Sequence, residues 1–323
     1  MNYDLSVIEG DQDKPAIIFV QGLGMDKGVW ETPDDTKILG GRFPIQLLIH
    51  DDDDIRISVE KGSKIFFGRY SGSLSTLYHD LSARGYTVIT WSQKRPSAGI
   101  DVAVSELIEI VGLLEGYLRS GMIIIGHSRG GLIGRKYLKS GGGKMPKCLI
   151  TLATPHKGSR MAQWADYLKP FSSLVSRLIG EPQKGTLPFT VKKVMDFLAS
   201  KAVKELLPDS DFFKSIDDCR VNGVYYISIG GKDPTLVSAY RAVADETSGD
   251  SNGLKRSIYK PQRVFGIPDI FEKLIPPGRL PDEMKKGLGD GLVSIGSSRL
   301  DWADEHYNFW VNHAEILFDR EVR

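Results

Sequence analysis

The chain has 323 residues, enough to bury a large core, and 41% hydrophobic with 26% charged residues is an ordinary globular composition. Lys and Arg number 42 against 41 Asp and Glu, a net charge of +1, so no global field recruits nucleic acid or an anionic membrane. No window is apolar enough for a membrane span, and two cysteines, Cys148 and Cys219, are too few for a disulfide framework.

The stretch Met1 to Asp13 is polar and acidic, without a basic segment leading into an apolar one, and the chain as given is expected in the cytoplasm. An apolar run from Ala16 to Gln21 predicts the first core strand. Residues 28–75 interrupt the pattern. Ile45 to Ile49, the alternating Ile55 to Glu60 and Lys64 to Tyr70 predict a small β-rich insertion, with Asp51 to Asp54 at its turn. Those aspartates lack the glycine and ligand spacing of a calcium loop and read as a solvated turn, so no metal is expected. Thr87 to Trp91 is the next predicted strand. Val104, Leu107, Ile108, Val111, Leu114 and Leu118 then recur at helical spacing and predict a crossover helix.

Met122 to Gly126 is a predicted strand and Leu132 to Leu138 an amphipathic helix, ended by Gly141 to Gly143. Cys148 to Leu152 and Val224 to Ile229 complete the predicted core strands. Between them residues 159–220 read as a helical cap, with apolar stripes at Trp164, Leu168, Phe171, Val175 and Leu178, then Val191, Val194, Met195, Leu198, Ala202 and Leu206. The alternation of strands and helices predicts an α/β fold with a mostly parallel sheet flanked by helices. The core is expected from 1–158 and 221–323, with the cap leaving after a strand's carboxyl end, where ligands of open α/β sheets bind.

Gly126-His127-Ser128-Arg129-Gly130-Gly131 lies between a predicted strand and a predicted helix, the setting of a nucleophile elbow. A serine in that sharp turn is held above the sheet on a strained backbone, and the residues two places either side must lack side chains. Its hydroxyl needs a base, and the base needs a carboxylate to hold one tautomer. His50 and His79 lie upstream and read as surface or packing residues, His127 points away from its neighbour, and His156 shapes the loop after a strand. Of His306 and His313, the latter opens a predicted last helix, Ala314 to Phe318, and is the expected base. Asp290, flanked by Gly289 and Gly291 at a predicted strand end, and Asp233, after an earlier strand, both keep the order Ser, Asp, His, with Asp290 favoured. Asp301 and Asp304 read as solvated. Two backbone amides must face the developing oxyanion. Arg129, next to the nucleophile, supplies one, and Leu23, in the turn Val20-Gln21-Gly22-Leu23-Gly24, the other.

These residues resemble the lipases and esterases of the α/β-hydrolase fold, particularly the bacterial true lipases. Gly126 to Gly131 is similar to their GHSxGG elbow, Leu152 to Ser159 to their TPHxGS segment, Gly289 to Val293 to their acid turn, and Asn312-His313 to their catalytic histidine. Glu205 to Ser210 resembles the end of a lid. The likeness covers residues 16–26, 85–159, 222–233 and 287–318. Gln21 departs from it, standing where the family's oxyanion turn carries histidine. Glu315 stands where some of these lipases ligate calcium through aspartate, so a calcium ion is not implied, and neither is any cofactor. The resemblance implies a serine carboxylic-ester hydrolase acting through an acyl-enzyme on Ser128. Trp164, Phe171, Phe189, Phe197 and Phe212 in the cap point to an apolar acyl chain, and the expected partner is a small-molecule or lipid ester. Acyl transfer and thioester cleavage use the same triad, and a binding protein on the same scaffold is the alternative outside catalysis.

Overall fold

The structure is a computed structural model that describes residues 3–38, 41–42, 44–50, 55–56, 66–96, 98–141, 144–161, 205–244, 259–275 and 278–323. Its centre is a seven-stranded sheet of β1 (Asp4–Ile8), β2 (Ala16–Val20), β3 (Val88–Ser92), β4 (Met122–His127), β5 (Cys148–Leu152), β6 (Tyr225–Gly231) and β9 (Glu305–Phe309). The spatial order is β1-β3-β2-β4-β5-β6-β9, antiparallel only where β1 meets β3.

All five predicted core strands are present, within two residues at each end. They were readable because a strand covered on both faces needs apolar residues at every position. On β2, Ala16, Ile18 and Val20 face one core while Ile17 and Phe19 face the other. The first core packs α2 (Ile100–Leu113) and α3 (Arg129–Lys139) against the sheet, and Val104, Leu107 and Val111 lie in it as their spacing requires. The second holds Trp30, Ile45, Tyr78 of α1 (Leu77–Ala83), Leu152, Ile316 and Phe318. Gly141, just past α3, adopts φ 65°, the left-handed exit expected there.

Several expectations need correction. Ile45 to Ile49 is a 3-10 turn over Ile45–Leu48, not a strand: Pro44 precedes it, and burying Ile45 and Gln46 together suits a turn better than an alternating strand. The last helix contracts to a 3-10 turn at Glu315–Leu317. Phe212 does not face a cap interior but packs in the first core, edge-on to Phe213 and beneath the Lys136 ammonium. An unpredicted hairpin, β7 (Val237–Ala244) with β8 (Tyr259–Ile267), pairs through β7 with Phe66–Phe67. Asp51 to Asp54 and the cap stripes from Trp164 to Ala202 lie outside the described residues. Among the described residues no helix is long and apolar enough to cross a membrane.

Candidate active site

Ser128 follows β4 and caps the start of α3 with φ 54° and ψ −126°, a region L-residues rarely enter. The Ser128 N–H donates to the Leu152 carbonyl of β5 (2.8 Å), and the Gly131 N–H returns to the Ser128 carbonyl (3.1 Å), so both sides of the turn are pinned. The glycine requirement is steric. A Cβ on Gly126 would lie 2.5 Å from the Gly131 nitrogen, and one on Gly130 would lie 2.2 Å from the Val20 carbonyl oxygen. Neither backbone group can retreat without moving the sheet. Gly130→Ala is therefore expected to cost about 1 to 3 kcal/mol of stability, read as a fall in the urea midpoint; an unchanged midpoint contradicts the packing.

Of the two candidate acids, the structure brings Asp290 to His313. Asp290 Oδ2 lies 2.9 Å from His313 Nδ1, and both side chains are buried. Its other oxygen, Oδ1, accepts the N–H groups of Leu292 (2.9 Å) and Val293 (2.7 Å). Three donors thus hold the carboxylate, with Oδ2 the oxygen that meets histidine. Asp290 follows no strand, contrary to expectation; its turn is closed by the bridge between Gly289 and Ser294, and Gly291 takes φ 94°. Asp233 does follow β6, but its carboxylate turns to the Thr235 N–H (2.9 Å).

His313 is held at several points. Its N–H donates to the Asp290 carbonyl (2.9 Å) and its carbonyl accepts from His127 Nε2 (2.9 Å). The preceding residue, Asn312, is wholly buried and gives its amide to the carbonyls of Leu48 and Thr235 (both 2.8 Å) while its oxygen accepts the N–H groups of Ala314 and Glu315. Glu315, where the resemblance raised calcium, accepts instead from the backbone N–H groups of His50 (2.7 Å) and Asn312 (2.9 Å). Asn beside His was visible in the sequence, but its long-range partners were not.

Ser128 and His313 open onto one cavity, lined also by Leu23, Met25, Met161, Leu206 and Leu292. Among the described residues no hydrogen bond joins Ser128 Oγ to His313, a gap common in unliganded sites, where the contact tightens with substrate. The N–H groups of Leu23 and Arg129 donate to no carbonyl or side chain among the described residues. Gln21 settles how the first of these turns is held: its amide donates to the Trp91 carbonyl at 2.8 Å, tying the ends of β2 and β3. The Arg129 side chain, unread in the sequence, is wholly buried, bonds Gln93 Oε1 (3.3 Å) and the carbonyls of Pro96 and Ala98, and faces Glu205 at 3.9 Å.

The remaining histidines serve structure. His79 closes a capping box with Thr76 at the start of α1. His306, on β9, bonds Ser228 (2.8 Å) and Asn308 (2.9 Å). His156 bonds Thr151 Oγ1 (3.0 Å), with its carbonyl on Arg135. Asp301 and Asp304, read as solvated, pair with Lys157 (2.9 Å) and Arg220 (3.0 Å). Burial pushes the His127 imidazole down to about 3 and that of His156 well below its usual value. Unfolded, both take up a proton below about pH 6.5; folded, His127 resists until about 3. Their contribution to stability is full above that unfolded value and falls as pH drops through this window, by up to ~1.4 kcal/mol per pH unit for each histidine. Urea midpoints are expected to decline from pH 7 to 5, with a shallower slope in His156→Gln; a midpoint flat on acidification contradicts this.

No protein-family model matches the sequence, and no curated protein matches it. Solved structures do. The lipase BlEst2 of Bacillus licheniformis in its mature form superposes with a TM-score of 0.52 at 17% identity, over 97% of this chain and 92% of that one. Its propeptide form gives 0.51 at 16%, over 97% of this chain and 50% of that one. At such identity the likeness speaks for architecture alone. The chain has the α/β-hydrolase fold.

Proposed function

We propose that the protein is a serine carboxylic-ester hydrolase acting on esters with an apolar acyl chain. The reading is carried by one arrangement: His313, hydrogen-bonded to the buried Asp290, lines the cavity into which the strained Ser128 also opens. In this reading Ser128 Oγ attacks the acyl carbon while His313 Nε2 takes its proton. Asp290, accepting from Nδ1, keeps the imidazole in the tautomer whose Nε2 is free and stabilises the imidazolium that forms. The N–H groups of Leu23 and Arg129 receive the oxyanion. His313 then protonates the departing alcohol as its bond to carbon breaks, leaving an acyl-enzyme. Water gives a proton to His313 and attacks the same carbon, and the acid leaves as Ser128 regains its hydrogen.

The acyl preference is supported by the cavity wall, where Leu23, Met25, Pro155, Met161, Leu206, Leu292 and Val293 surround the serine. Such a wall offers transfer energy to methylenes, about 0.8 kcal/mol for each one buried. One structural neighbour is a lipase by name; for this chain the assignment rests on the site. The test is initial rates on p-nitrophenyl esters from acetyl to palmitoyl. The expected result is measurable turnover that rises from acetyl into longer chains. No turnover on any ester, or a rate that falls steadily from acetyl onward, contradicts the proposal.

A further inference from the structure

His127 precedes the nucleophile and lies against both His313 and the turn that holds Gly22 and Leu23. It ends β4, is wholly buried, and its Nε2 lies 2.9 Å from the His313 carbonyl oxygen. A carbonyl has no proton to give, so the shared proton sits on Nε2 and Nδ1 carries a lone pair. That Nδ1 has no partner among the described residues and faces the oxyanion turn, where a Cβ on Gly22 would come within 3.1 Å of it and 3.3 Å of Ser128 Cβ. The His127 and His313 rings are 4.9 Å apart between centroids, tilted by 50°. One neutral ring thus touches the base and the oxyanion turn while its own backbone carries the nucleophile.

We infer that His127 is a positioning residue: its Nε2–H, donated to the His313 carbonyl, fixes the distance of the base from Ser128, an inference resting on the hydrolase reading above. The His313 N–H and Nδ1 are both held by Asp290, which belongs to a different turn from the nucleophile's. Among the described residues the bond from His127 alone ties the His313 backbone to the strand that leads into Ser128. Without it the His313 carbonyl is a buried acceptor with no donor among the described residues, and the loop is free to shift away from the elbow. A displacement of about 1 Å in a catalytic group costs roughly a hundredfold in rate.

Glutamine can place an N–H where Nε2 stands, whereas asparagine reaches only the Nδ1 position and phenylalanine keeps the ring without a donor. The test measures kcat and KM on p-nitrophenyl butyrate for wild type, His127→Phe, His127→Asn and His127→Gln, with urea midpoints for each. The expected result is a kcat lower by about ten- to a hundredfold in His127→Phe and His127→Asn, with KM within a few-fold. His127→Gln is expected to recover most of that loss even where its midpoint is as low as the others. A His127→Phe or His127→Asn enzyme with full kcat overturns the inference, and so does a glutamine variant as slow as they are. The low-field proton resonance of His313 Nδ1–H, observed without substrate, gives a second reading that does not depend on turnover. It is expected to be sharp in wild type and His127→Gln and shifted or broadened in the other two. An unchanged resonance in His127→Phe or His127→Asn overturns the inference, whereas a wild type that hydrolyses no ester while these shifts occur overturns only the hydrolase reading.

Discussion

Ser128→Ala is expected to lower turnover of an activated ester by about a millionfold, because nucleophile, base and acid act as a unit and losing the attacking atom leaves the others nothing to do. What remains, roughly 10³ to 10⁴ over water, comes from binding and from the oxyanion amides, which the substitution leaves in place. Alanine suits the experiment because it keeps the Cβ and therefore the conformational cost of φ 54°. The bonds that pin the turn, from Ser128 N–H to Leu152 and from Gly131 N–H to Ser128, are made by backbone alone. A variant with a wild-type urea midpoint and a collapsed rate is the expected pair of observations. Retention of more than about a hundredth of the rate contradicts the assignment, since the serine would then carry at most ~2.7 kcal/mol of the barrier reduction.

Asp290→Asn is expected to lower kcat by about 10⁴-fold, while Asp233→Asn leaves it within a few-fold of wild type. Asp290 Oδ1 accepts two backbone N–H groups, so the asparagine carbonyl must take that place. Its NH₂ then faces His313 Nδ1, at the position Oδ2 holds in the native chain. A donor there forces His313 to present a lone pair at Nδ1 and to carry its proton on Nε2, where it can no longer accept one from serine. The fold survives because the turn keeps its backbone bonds. Asp233 has no such reach, its carboxylate being committed to Thr235 N–H. The reverse outcome, a slow Asp233→Asn and a fast Asp290→Asn, contradicts the pairing.

The interior of this fold was more legible than its edges. A run such as Met122 to Ile125 is uniformly apolar because both faces of β4 are covered, and glycines at 126 and 130 mark a turn that no side chain fits. β1 and β9 were missed for the complementary reason. They are the sheet's outer strands, half-exposed, and Asp4 to Ile8 and Glu305 to Phe309 mix polar with apolar residues as edges do. Leu5 and Val7, alternating with polar residues, were the available signal for the first. At the site, residue identity gave Ser128, Asp290 and His313 as candidates, with Asp233 left open because chain order cannot fix which carboxylate the loops deliver. Roles that run through backbone carbonyls remote in sequence were not readable: Arg129 on Pro96 and Ala98, Gln21 on Trp91, and Asn312 on Leu48 and Thr235.

The turn from Val20 to Gly24, which carries Leu23, the proposed oxyanion donor, is tied down through Gln21. The family that the sequence resembles carries histidine where Gln21 stands, and here the glutamine amide holds the end of β3 to the end of β2 by donating to a backbone carbonyl. The turn needs a side chain with an N–H at that reach, a condition glutamine meets without carrying a titrating group into a fully buried place.

The most direct measurement is labelling by a fluorophosphonate, followed by mass spectrometry of the digested protein, with Ser128→Ala beside it. Only a serine whose proton is taken by a neighbouring base attacks phosphorus at a useful rate. The expected result is one adduct, on the peptide containing Ser128, absent from the variant and much reduced in Asp290→Asn. No adduct on the folded wild type, or the same adduct on Ser128→Ala, contradicts an activated serine at this elbow.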